Sequence, residues 1–352
     1  MSSSVAIAVN GLNDPDLTQA TSIEVTERAG ETTTFSLKYG VSIIKGDIPL
    51  LTDKRLDAGS ELSVIVTIDS TTLCLVKGPV HGHDIHMEHG GTGSTLVVKG
   101  SDTSITMDRE SRSAVWKDVT DSDAIQSILS SYGYTPDVEN TSAGHYENKN
   151  TLIQRESDLS FVRRLARRNG FYFWVTSDTM GTETAHFRRP SLGGAPAGQL
   201  VINLDSPTIT KLDIDWDVEK PTSIAGLQLD LNTKNDLQLT VQKTPQTILG
   251  DIGIQQITND IRSVFLSAPA NDAGDLTSRG EGALIEAEWF IHVSCETTIR
   301  TLGSIIRPYT VIELKGAGSR HSGKYFVSGV THTIDVNAHK MNIQLLRNGW
   351  GK

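Results

Sequence analysis

The sequence predicts a mainly β fold with a small α+β insert near its middle. Three observations carry this. Apolar and polar residues alternate through the first and last parts of the 352-residue chain, with many β-branched residues among them. Between these parts, two segments show helical spacing with matching caps. A Gly-, Pro- and Ala-rich run, RRPSLGGAPAG (188–198), then punctuates the chain. The implied division is 1–117, a first β region; 118–198, an α+β insert; and 199–352, a second β region that carries a helical insertion.

In the first region, S-I-E-V-T (22–26) places Ile23 and Val25 on one face, and 33–39 alternates through Phe35, Leu37 and Tyr39. ELSVIVTIDS (61–70) and the run 71–80 continue the pattern, and Gly90-Gly91-Thr92-Gly93 reads as a hairpin turn before STLVVKGSD. In the insert, Thr120 is placed to cap a helix with Asp123 in its first turn. Ala124, Ile125, Ile128 and Leu129 share its apolar face, and Gly133 ends it. A second helix is expected over 157–169. Leu159, Val162 and Ala166 form its stripe, with Phe161 and Leu165 beside them, and Arg163, Arg164, Arg167 and Arg168 lie on the other side. The strand FYFWV follows directly after Gly170.

In the last region, strands are expected at 199–204, 227–231, 289–300, 310–314, 324–335 and 340–346. Ile254, Ile257, Ile261 and Val264 predict a helix over 253–265. The polar, Gly-containing run 268–282 reads as a mobile loop, with a short helix at 283–288. No short tandem repeat is present, although the two β regions are candidates for diverged copies of one module.

A net charge of −10 and a pI near 5.5 disfavour non-specific nucleic-acid binding and adhesion to anionic membranes. No run of about 18 apolar residues predicts a membrane span. The N-terminal MSSSVAIAVNGLNDPD lacks the features of a secretory signal. Cys74 and Cys295 lie in strand-like stretches and are expected as buried thiols.

Four stretches, in order, resemble the family of phage late-control protein D, VgrG and related tail hub proteins. They are LVVKGSDTSITMDR (96–109), WKDVTDSDAIQSILSSYGY (116–134), QRESDLSFVRRLARRNGFYFW (154–174) and the C-terminal run 306–348. The last holds RPYTVIELKGAGSRHSGKYFVSGVTHTID and MNIQLLRNG. Two departures stand out. Gln154 is one residue closer to Glu156 than the family pattern has it, and Tyr309 stands where a glycine usually follows Arg307-Pro308.

The resemblance implies two barrel-like hub domains plus peripheral domains, in a ring-forming homotrimer within a contractile phage tail or phage-like injection system. The partners it implies are a hexameric tail tube protein, a separate spike protein and baseplate wedge components, with a tape measure protein as a further candidate. It implies a place in the baseplate of a particle assembled in the bacterial cytoplasm. Closing sheets into barrels or ring walls would also cover their edge strands. The chain stops at Lys352 with no Gly-rich repeat, so the spike is expected as a separate polypeptide.

Candidate chemistry is sparse. His81, His83, His86 and His89, with Asp84 and Glu88, offer imidazole and carboxylate ligands, but HEXXH is absent and the spacing matches no standard zinc site. His332 is expected to hydrogen-bond in or near a barrel wall. His321 and Ser322 are close in sequence, but no G-x-S-x-G elbow accompanies them, and GAGSRHSG (316–323) lacks phosphate-loop spacing. The arginines of the second helix more readily meet carboxylates or water than nucleic acid. No catalytic, cofactor-binding or metal-binding residue is assigned, and no cofactor is expected. Two rival readings remain: a hub-associated cell-wall hydrolase, which needs paired carboxylates, and a secreted carbohydrate-binding β-protein.

Overall fold

The computed structural model describes residues 3–351 apart from 45, 149–150, 230–233, 235 and 267–272. The fold is mainly β. Among the described residues, the largest sheet has 13 strands and takes members from both ends of the chain. The two ends meet where Ser22–Arg28 pairs antiparallel with Gly323–Asp335, from Arg28 opposite Gly329 to Ser22 opposite Asp335. A single hydrophobic cluster fills the space beneath, mixing Ile7, Leu37 and Val98 with Ile291, Ile312 and Leu345.

Each β region contains one long strand that changes partner part-way. Thr71–His86 pairs with Glu61–Ile68 as far as Pro79, then with Thr95–Ser101 from Val80 onward, and its register shifts between Val80 and Gly82. Gly323–Asp335 pairs with Val311–Lys315 as far as Phe326, then with Ser22–Arg28 from Gly329, and shifts between Val327 and Gly329. A bulge bends a strand and increases its twist, which lets one strand serve two differently directed neighbours.

In the insert, helix α1 (Asp121–Ser131) starts with a reciprocal capping box between Thr120 and Asp123. Helix α2 (Asp158–Arg168) is capped by the Ser157 hydroxyl. Their apolar faces pack with Phe171, Phe173, Ala185 and Phe187 in a separate core. The predicted stripe is buried as expected: Leu159, Phe161, Val162, Leu165 and Ala166 are at most 3% exposed.

Two expectations in the last region fail. The helix read over 253–265 is only Ile254–Thr258 (α3), because Asn259 turns into the left-handed region at φ 49°. Ser263–Leu266 is instead a strand, parallel to Ser223–Leu229. The run read as a mobile loop is, from Ala273, the first half of a long helix, Ala273–Glu288 (α4), so the expected helix at 283–288 is only its end. Residues 268–272 lie outside the described residues. The glycines that suggested a loop mark close packing instead. A Cβ on Gly280 would stand 2.7 Å from Leu239 Cδ2, and one on Gly282 would stand 2.7 Å from the Arg168 carbonyl.

Candidate functional site

The seam between the two β regions is built from charged residues at core positions. Period-two alternation puts Glu27 on the face of Ile23 and Val25, and His332 on the face of Val330 and Ile334. Glu27 is 6% exposed and His332 is fully buried. Arg307 donates to Glu27 Oε1 from Nε at 3.0 Å and from a terminal nitrogen at 2.5 Å. It also donates to the carbonyls of Cys74 and Leu75, both at 2.9 Å. His332 Nε2 lies 3.3 Å from Glu27 Oε2, and its Nδ1 shares a hydrogen bond of 3.0 Å with His339 Nε2. Burial pushes the Glu27 carboxyl up, but Arg307 and His332 outweigh it and hold the group below the usual carboxylate range. Burial, with a contribution from His332, pushes His339 down to about 3.

The motif residues that carried the resemblance serve as backbone and side-chain clamps. Gln154 is buried. It accepts from Trp116 Nε1 at 3.2 Å and donates to Asp158 Oδ1 at 2.6 Å, and Asp158 also accepts from the Tyr132 hydroxyl. Arg347 is fully buried and donates to the carbonyls of Leu249 (2.7 Å), Ser322 (3.2 Å) and Gly351. Its guanidinium lies over the Tyr325 ring, and a Cβ on Gly323 would stand 2.5 Å from it, which accounts for the small residue there. Asn348 holds the same segment through Leu249 N and the Thr247 carbonyl.

As expected, arginines of α2 meet carboxylates. Arg164 is exposed and pairs with Glu156 at 2.7 Å. Arg168, 9% exposed at the side chain, lies 3.2 Å from Asp121 and 2.9 Å from Asp275 of α4. Asp121 also bonds His145 at 2.8 Å and Asn169 at 2.8 Å, and Arg279 pairs with Asp275 at 3.0 Å. Arg163 donates to the Thr32 hydroxyl at 2.6 Å. On its other side, the insert meets the first β region through Lys77, which lies 3.3 Å from Glu183. The insert therefore touches both β regions.

The histidine-rich stretch is dispersed rather than convergent. His81 bonds the Ser101 hydroxyl, His83 the Leu56 carbonyl and His86 Glu88. Among the described residues, no group of three or more His, Cys, Asp or Glu is disposed to hold a metal ion. His321 has no hydrogen-bond partner at Nδ1, and its carbonyl accepts from the Tyr325 hydroxyl. Cys74 and Cys295 are buried free thiols. Burial raises two carboxyls, Asp102 to about 6 and Glu288 to about 7. Asp102 accepts from the Thr33 and Ser104 amides, and Glu288 from the Thr244 hydroxyl. The leading influences on both shifts are burial and hydrogen bonds, with no carboxylate among them. Among the described residues, no helix is long and apolar enough to cross a membrane.

The fold is shared along its length with solved tail proteins. The 43 kDa tail protein of prophage MuSo2 from Shewanella oneidensis is 14% identical, covers 99% of each chain and gives a TM-score of 0.68. The tail protein from Neisseria meningitidis MC58 is 13% identical over 100% of this chain and 98% of its own, with a TM-score of 0.67. An Escherichia coli component of the type VI secretion system, similar to T4 bacteriophage tail proteins, is 13% identical over 98% of this chain and 79% of its own, at 0.59. At such identities the likeness is one of fold. No curated protein matches the sequence. The family model described as the Alg8 N-terminal domain matches residues 2–335. The chain therefore belongs to the Alg8 N-terminal domain family.

Proposed function

We propose that this chain is a structural hub of a contractile tail or injection particle: a homotrimer that joins a hexameric tube to a separate spike and to surrounding baseplate components. The observation that carries this reading is the full-length likeness to tail proteins, with 99% of both chains covered for the prophage MuSo2 tail protein. The paired architecture of the β regions supports it, each with a long strand that shifts register as it changes partner. A trimer with two comparable β regions per chain has three-fold symmetry on one side and near six-fold symmetry on the other. A three-fold spike and a six-fold tube cannot make equivalent contacts directly, so such an adaptor resolves the mismatch. Tube contacts are heterologous and propagate, so the hub would also set the register of the first tube ring.

In this reading the protein is not an enzyme. The seam charges answer one another, and the two raised carboxyls are occupied by amides and hydroxyls rather than paired across a cleft. Native mass spectrometry of concentrated protein is expected to report three copies. Deleting the gene in the producing cell should abolish tubes seated on baseplates. Normal-length tubes on complete baseplates without this protein would refute the reading.

A further inference from the structure

Tyr309 is a non-glycine residue in the left-handed region, at φ 65°. A bulky aromatic residue resists that conformation and persists there only where its surroundings over-determine it. The surroundings come from three parts of the chain. The ring stacks on Trp174 of the insert, with centroids 3.8 Å apart and planes at 12°. Its hydroxyl accepts from Gly30 N of the first β region at 2.9 Å. Its own amide donates to the Val327 carbonyl of the second at 3.0 Å. Two residues earlier in the chain, Arg307 grips Glu27 and the carbonyls of Cys74 and Leu75. A cavity of about 210 Å³ beside these groups, lined by Glu27, Trp174, Arg307 and Tyr309, leaves room for the ring to leave its stack.

We propose that Tyr309 is a strained latch through which docking of the α+β insert holds the seam between the β regions closed. With Trp174 in place, the stack and the Gly30 bond outweigh the backbone strain. When the insert moves away, the strain favours a relaxed turn, the Gly30 bond breaks, and Arg307 is carried off its carbonyl partners. The turn thus has two arrangements that both the insert and the seam bias, which is the physical requirement for coupling between them. A glycine at this position would adopt the turn without strain and leave the seam indifferent to the insert. The latch is independent of the hub reading, because it concerns contacts within one chain.

Hydrogen exchange of the full-length protein, followed by mass spectrometry, tests this. The peptides to follow cover Gly30 and residues 307–311. Trp174→Ala is expected to speed exchange in both at least tenfold, with strands such as Glu61–Ile68 unchanged. In a Tyr309→Gly background, the same Trp174→Ala substitution should change exchange at 307–311 less than twofold. Tyr309→Phe keeps the stack and removes the hydroxyl, so it should speed exchange at Gly30 alone. If Trp174→Ala does not fold, Trp174→Leu serves the same comparison. Unchanged exchange in the Trp174 variants, or an equal effect of Trp174→Ala in the tyrosine and glycine backgrounds, would overturn the latch.

Discussion

Two buried ionic clusters hold the three parts of this chain together, and they are wired differently. At the seam, Glu27 has one full cation, Arg307, plus His332 at 3.3 Å. At the junction of α2 with α4, Asp121 has Arg168, His145 and Asn169, while Asp275 has Arg168 and Arg279. The seam is a chain with one strong link, and the junction is a mesh. A buried charge that loses its main counter-charge is left poorly compensated, whereas a mesh redistributes the loss. The contact that closes the β regions on each other should therefore be the more brittle of the two.

The largest expected effect tests this directly. Arg307→Met strands the Glu27 carboxylate and should cost about 3–5 kcal/mol. Arg168→Met leaves each carboxylate of the mesh with a remaining donor and should cost about 1–3 kcal/mol, the range for partial loss of buried hydrogen bonds. Chemical denaturation of the two variants side by side gives the ranking. Equal losses, or a larger one for Arg168→Met, would show that the mesh has no redundancy.

These differences were partly legible in the sequence. The strands around the seam follow from alternation, and the same alternation carries a signal of the buried charges. In S-I-E-V-T-E-R, the face of Ile23 and Val25 continues to Glu27, and in H-K-M-N-I-Q-L-L-R the face of Met341, Ile343 and Leu345 ends on Arg347. A charge in core register points to a buried partner but does not say which. Arg307 lies 280 residues from Glu27, and no local rule spans that distance. The ion pair of Arg168 with Asp275 was hidden for a similar reason: Asp275 sits in the segment whose glycines read as a loop. Glycine marks both turns and close approaches, and only the packed structure separates the two uses. The helix read through Ile261 and Val264 failed because apolar spacing alone cannot register a left-handed Asn259.

Acid should separate the clusters next. The folded state holds Glu27 below its ordinary range and His339 near 3. Both shifts are downward, so the unfolded chain binds more protons as pH falls. The stability linked to His339 is complete above about pH 6.5 and is lost below it. The stability linked to Glu27 is complete above about pH 4.3 and is lost below that. Each group contributes a slope of at most about 1.4 kcal/mol per pH unit. Melting temperatures measured from pH 7 to pH 4 should fall for the parent protein. His339→Gln, which cannot take up the proton, should flatten the upper part of the decline. Parallel curves for the two proteins would remove His339 from the account.

The smallest expected effect contrasts two arginines one helical turn apart on α2. Arg168 is 9% exposed at the side chain and held in the mesh, whereas Arg164 is 44% exposed at the side chain and pairs with a Glu156 that is 28% exposed. Exposed pairs gain little because water screens the attraction and two long side chains must be ordered to form them. Arg164→Ala should therefore cost no more than about 1 kcal/mol. Part of that loss should disappear in high salt, where the Debye length contracts to about 3 Å at 1 M. The Arg168→Met loss should change little with salt, since the mesh is screened by protein rather than by ions. Arg164 also lies over the Phe161 ring, with 5.1 Å between guanidinium carbon and centroid, and donates to the Ile153 carbonyl at 3.1 Å, so a salt-insensitive remainder in Arg164→Ala would measure these two contacts together. A salt-insensitive loss as large as that of Arg168→Met would mean that both faces of α2 are sealed, and that the junction extends further around the helix than the mesh alone.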